Sequence, residues 1–189
     1  MKFRKVLLLL LVAIFAGNVV GQARDPKTPR EFFRLMPQQY FTLESLHEDK
    51  NTKEEPARVQ REYLNGYLEI EDNKNGFMQC GGDGAQESFK MALFKRPDRT
   101  YVVGLYVFGE WGEKYYFLEY RDRKWRNVSL TTVPGYKRSN IYKMPRYGTT
   151  IKVFERKNFD PELDFGETGE KLYDLVWKNG RFRTRKQDP

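Results

Sequence analysis

The chain has 189 residues, 32% of them charged and 15% aromatic, and carries a formal net charge of +8 at pH 7. That length suits one principal domain with its own packed core. A single Cys excludes an internal disulfide, and one Cys with one His leaves a tetrahedral zinc site short of its usual donors.

The first residues, MKFRK, are cationic, and Val6 to Gly17 is apolar. A run of that length is short for a bilayer span and fits the apolar core of a signal peptide. Gly21-Gln22-Ala23 puts small residues at the −3 and −1 positions, so residues 1–23 are expected to be a signal peptide cleaved before Arg24. No later run is long and apolar enough to span a membrane. The expected location is periplasmic or secreted, and the absence of paired cysteines favours a bacterial envelope. Lys2, Arg4 and Lys5 account for three units of the positive charge and belong to the leader. Export and the modest charge that remains count against nucleic acid as a partner.

Residues 24–55 read as a flexible leader, a short helix over 29–36 and a charged loop. Thr28-Pro29-Arg30-Glu31 is a helix start: Thr can cap, Pro suits the first turn, and Glu can reach back to the cap. Pro37 ends the helix. The loop HEDKNTKEEP has no large apolar residue. Residues 56–184 form the main domain, and 185–189 a mobile tail. Pro56 to Tyr67 is a second helix, with Val59, Tyr63, Leu64 and Tyr67 on one side.

Tyr67 to Glu71 then alternates, and Asn75-Gly76 is a strong hairpin signal. The stretch Phe89 to Val128 is the centre of the domain. Its three aromatic and aliphatic runs are separated by polar turns and read as a β-meander. Val102 to Phe108 is apolar on both faces, so a central strand covered on both sides is expected. Arg96-Pro97-Asp98-Arg99 is a turn, and Trp111 sits between glycines and charges in a connection over Gly109 to Glu113.

After Val128 the apolar signal weakens. Thr149 to Glu155 alternates, and Asp160 to Glu170 is acidic and rich in turns. Tyr173 to Arg183 repeats the pattern of Tyr116 to Arg126: Tyr-x-Leu-x-aromatic-basic-Asp/Asn-x-basic-aromatic-Arg. The expected fold is α+β, with two short N-terminal helices covering one face of a mainly antiparallel meander of about six to eight strands in an open sheet or half-barrel.

Candidate chemistry is sparse. Glu71 to Gly82 fails as a calcium loop, because its first ligand is Glu rather than Asp and its twelfth position is Gly82. Gly81-Gly82-Asp83-Gly84 lacks the Lys-Ser/Thr of a phosphate loop, although a glycine-rich loop beside strands can hold a ligand. Cys80 with His47, or a carboxylate pair such as Glu110 and Glu113, would be the only routes to a hydrolase. No catalytic residue, metal site or cofactor is expected. The aromatic and basic side chains of the hairpins, Trp111, Tyr120, Trp125, Arg126 and Trp177, together with Gly82 and Asp83, are the candidate binding residues. They point to a non-enzymatic exported module recognising a protein or an envelope polysaccharide. A carrier holding a small apolar ligand in a curled sheet is a second reading, and a hydrolase using Cys80 or a carboxylate pair a third.

Overall fold

The computed structural model describes residues 24–43 and 56–185. The expected signal peptide, most of the charged loop before Pro56 and residues 186–189 lie outside the described residues. Helix α1 (Pro29–Arg34) begins with the anticipated reciprocal cap. The Thr28 hydroxyl accepts from the Glu31 N–H, and the Glu31 carboxylate accepts from the Thr28 N–H. Helix α2 (Pro56–Tyr67) buries Tyr63 and Leu64.

Two antiparallel sheets follow. The first is a meander of six strands in chain order: β1 (Leu68–Asp72), β2 (Phe77–Cys80), β3 (Ser88–Lys95), β4 (Tyr101–Gly109), β5 (Gly112–Arg121) and β6 (Lys124–Asn127). A short helical turn, α3 (Ser129–Thr132), leads to the second. Its four strands are β7 (Asn140–Lys143), β8 (Thr150–Asp160), β9 (Phe165–Lys178) and β10 (Arg181–Arg185), ordered β10-β9-β8-β7. Among the described residues no helix is long and apolar enough to cross a membrane.

The α+β class with a β-meander holds, but the single sheet of six to eight strands is instead ten strands in two sheets. Strand β4 shows why both faces of that run are apolar. Val103, Leu105 and Val107 pack under α1 and α2 with Phe32, Phe33, Tyr63 and Phe89. On the opposite face Val102 joins Phe94, Phe117, Tyr142, Ile151, Val153 and Phe182 between the two sheets. The helices therefore account for only one of the two covered faces. Rings fill the space between the sheets: Phe94 and Phe117 lie 4.8 and 5.4 Å from Phe182. Met144 rests against Gly104, where a Cβ would come within 2.8 Å of its sulfur. This part of the face is filled by its own side chains.

The recurring hairpin pattern produces the same geometry twice. Tyr120 pairs with Trp125 across the turn Asp122-Arg123, and Trp177 pairs with Phe182 across Asn179-Gly180. All four turn residues have positive φ, the twist a two-residue hairpin needs. Each indole then donates to a backbone carbonyl outside its own hairpin, Trp125 to Leu35 at 2.6 Å and Trp177 to Lys95 at 2.8 Å. These rings anchor α1 to the first sheet and the second sheet to the β3–β4 turn. Asp160 to Glu170 contains a single turn, and β9 is already extended from Phe165, so the long β8–β9 hairpin brings its turn against the start of β5, where the Glu113 N–H donates to the Asp164 carbonyl at 3.1 Å. Strand β10 runs through Arg185, which pairs with Asp174, so the first residue of the expected tail belongs to the sheet.

Candidate functional site

The second sheet does not cover the whole of the first. Along one face of β3, Ala92 and Phe94 are buried between the sheets, whereas Ser88 and Lys90 are half-exposed. Strand β2 makes the same change, from buried Phe77 to half-exposed Gln79. Register brings these polar positions together: Gln79 lies opposite Lys90, Lys90 opposite Tyr106, and Ser88 opposite Phe108. They form the floor of an open cleft of about 500 Å³.

One wall is the glycine-rich loop after β2, and the other is the β4–β5 turn with Gly109 and Glu110. Glu69 closes the β1 side, where its carboxylate accepts from the Gln79 amide. Lys90 Nζ lies 5.9 Å from the centre of the Tyr106 ring. At the far rim the Phe108 ring is 40% exposed, its centre 6.2 Å from that of Phe165 of the second sheet in an edge-to-face arrangement.

The walls are held by α2. The Tyr63 hydroxyl lies within hydrogen-bond reach of the Gly81 and Glu87 carbonyls, at 2.9 and 2.7 Å, on either side of the loop. Burial pushes the Tyr63 hydroxyl pKa far up, so it stays a proton donor. Asp83 accepts from the Tyr67 hydroxyl and, at 2.9 Å, from the Gln86 N–H. The Tyr67 contact is the first cause holding the Asp83 carboxyl below its ordinary range. Gly82 approaches the returning chain closely: a Cβ there would sit 2.2 Å from the Gln86 carbonyl oxygen. The glycines thus serve a tight doubling of the loop.

Behind the floor lies a buried charged corner. Tyr106 and Tyr115 each donate to a Glu113 oxygen at 3.1 Å. The same carboxylate lies 3.6 Å from the Arg156 guanidinium, whose side chain is fully buried. Arg156 also donates to the Asp164 carbonyl at 2.7 Å. Desolvation and the neighbouring Glu113 charge drive the Tyr106 hydroxyl upward, which keeps the floor tyrosine neutral.

The sequence-derived candidates distribute unevenly around this cleft. Gly82 lines it, and Asp83 sits in the same loop as a structural acceptor. Trp111 is 63% exposed at the turn beside Glu110. Tyr120 and Trp125 are half-buried against α1, and Trp177 is half-buried against Phe94 and Phe182. Arg126 is exposed on β6, an edge of the first sheet. Lys90, Tyr106, Gln79 and Phe108 were not singled out by sequence, although the switch from apolar to polar along one face of β2 and β3 marks their position.

The carboxylate pair separates into two roles, Glu113 in the buried corner and Glu110 at the cleft rim. Cys80 is 1% exposed, and burial pushes its thiol up to about 12, with the Glu69 charge adding to the effect. A buried, protonated thiol is a poor nucleophile. Native protein at pH 8 is therefore expected to resist iodoacetamide and to react fully in urea, and rapid native labelling would show an accessible thiolate. His47, its only possible imidazole partner, lies outside the described residues. What the fold assembles is a mixed polar and aromatic cleft on a rigid sheet, and no protein-family model, curated protein or solved structure matches the chain.

Proposed function

We propose that the chain is an exported binding module that takes a short glycan in the cleft at the open end of the first sheet. The observation that carries this reading is the cleft's convergence of polar groups from several strands beside an exposed aromatic face. Glu69, Gln79, Ser88 and Lys90 supply donors and acceptors for hydroxyl groups, and Phe108 supplies a flat apolar face for a sugar ring. The floor residues stand on paired strands, so they are held in place before a ligand arrives. The N-terminal cationic and apolar run supports an envelope or extracellular setting, where such glycans are found.

Tri- and tetrasaccharides of glucose, galactose and N-acetylglucosamine can be titrated into labelled protein and followed by amide chemical shifts. Shifts are expected at Lys90, Tyr106 and Phe108, and Phe108→Ala should weaken binding about tenfold, equivalent to about 1.4 kcal/mol. No cleft response to any sugar, or full affinity in Phe108→Ala, would overturn the reading. Export has its own test. Protein recovered from the envelope or medium of its host should have the mass of residues 24–189, and an intact leader there would contradict cleavage.

A further inference from the structure

The free edge of β10 offers a second surface, independent of the cleft. Among the described residues, strand β10 ends its sheet and pairs only with β9. In a two-residue hairpin the residues flanking the turn exchange hydrogen bonds, here Lys178 and Arg181. Alternation then turns the backbone groups of Arg181, Arg183 and Arg185 toward β9, and those of Phe182 and Thr184 outward. The Trp177 N–H confirms this phase, since it donates away from β10 to the Thr149 carbonyl at 3.3 Å. The outward N–H and C=O groups of Phe182 and Thr184 are the ready half of a strand ladder.

Beside this edge runs a groove of about 430 Å³, bounded on its other side by α3 and the chain after it. Leu130, on α3, is 82% exposed at its rim, and Val133 lies deeper. On the solvent face of β10, Arg185 pairs with Asp174, whereas Arg181 and Arg183 make no ion pair among the described residues. Arg181 and Arg183 border the groove together with Leu130, Val133 and Phe182, so guanidinium groups without an ion-pair partner among the described residues and apolar side chains both flank the edge.

We propose that β10 accepts an added strand from a partner protein whose sequence alternates acidic and apolar residues. Acidic side chains would stand opposite Arg181 and Arg183, and apolar ones would enter the groove by Leu130. The same charges select against a second copy of this chain. Pairing β10 with itself brings arginines together, and the acids of β1, the opposite type of edge, are already engaged. Glu71 is bound by Arg30, Asp72 by Arg146, and Glu69 by Gln79.

The test uses the full chain and a fluorescein-labelled peptide, Glu-Val-Glu-Leu-Glu-Val-Glu, read by anisotropy at low salt. Saturable binding is expected, weakened about tenfold or more in the double variant Arg181→Glu with Arg183→Glu. Thr184→Pro removes an outward N–H without touching the β9 ladder and should also abolish binding, whereas Thr184→Val should retain it. If Thr184→Pro fails to fold, the arginine variant and Thr184→Val carry the result. Absence of binding, equal binding by all variants, or equally tight binding of a heptaglutamate would overturn the proposal. A peptide-independent dimer lost in Thr184→Pro would overturn the choice of partner in favour of a second copy.

Discussion

Replacing Arg156 with methionine is expected to cost about 3–5 kcal/mol of stability, the range for breaking a buried ion pair from one side. Methionine keeps much of the packing volume but cannot donate. The Glu113 carboxylate would lose its guanidinium at 3.6 Å, and the Asp164 carbonyl would lose its donor at 2.7 Å. The ring contacts at 5.4 Å to Tyr115 and 5.3 Å to Phe159 would lose their cation as well. Urea unfolding of the single variants Arg156→Met and Glu113→Gln, and of the double variant, measures the coupling. The double variant should be more stable than the sum of the two single losses implies. Strict additivity would show that the two groups do not act as a unit.

Gly112→Ala should be nearly as damaging, and for a steric reason. Gly112 has φ +87°, and a Cβ there would lie 1.9 Å from the Leu163 carbonyl oxygen. Backbone cannot rotate out of the way as a long side chain can. The shift would also break the hydrogen bond from the Glu113 N–H to the Asp164 carbonyl, 3.1 Å, which ties β5 to the β8–β9 turn. A loss of about 3 kcal/mol or more is expected, from backbone strain and the collision together. Gly148→Ala is the control. Its φ is +73°, but nothing lies within 4 Å of the new Cβ, so only conformational strain of about 1 kcal/mol should appear. Equal urea midpoints for the two variants would sink the collision argument. Both large effects act at one corner, so Arg156→Met and Gly112→Ala should not add.

That corner also determines how the cleft is built. Glu113 holds the Tyr106 and Tyr115 hydroxyls, and Tyr106 is part of the cleft floor. A variant that loosens the corner should therefore weaken a cleft ligand indirectly, whereas Phe108→Ala acts at the rim and should leave the urea midpoint almost unchanged.

Local chemistry was legible in the sequence wherever neighbouring residues decide it. The Thr28–Glu31 cap, the span of α2, the central meander and the two matching hairpin turns all depend on residues within a few positions of one another. The doubly apolar pattern of Val102 to Phe108 required cover on both faces, and the structure supplies it for Val102 to Leu105 but leaves Tyr106 and Phe108 facing the open cleft. Sequence did not reveal the second sheet's position, because β7 and β8 are short or strongly alternating and their pairing depends on contacts far along the chain. It likewise did not show how far Trp125 and Trp177 are buried. Each indole donates to a distant carbonyl, Leu35 or Lys95, that no local pattern encodes. Composition and periodicity alone determined the α+β class, the meander, the turns and the lack of a disulfide framework. Only tertiary structure decided which half of the first sheet is covered, and therefore where Gln79, Lys90 and Tyr106 meet. The reason is physical: alternation places side chains on a face, but the packing of one sheet on another decides how much of that face is buried.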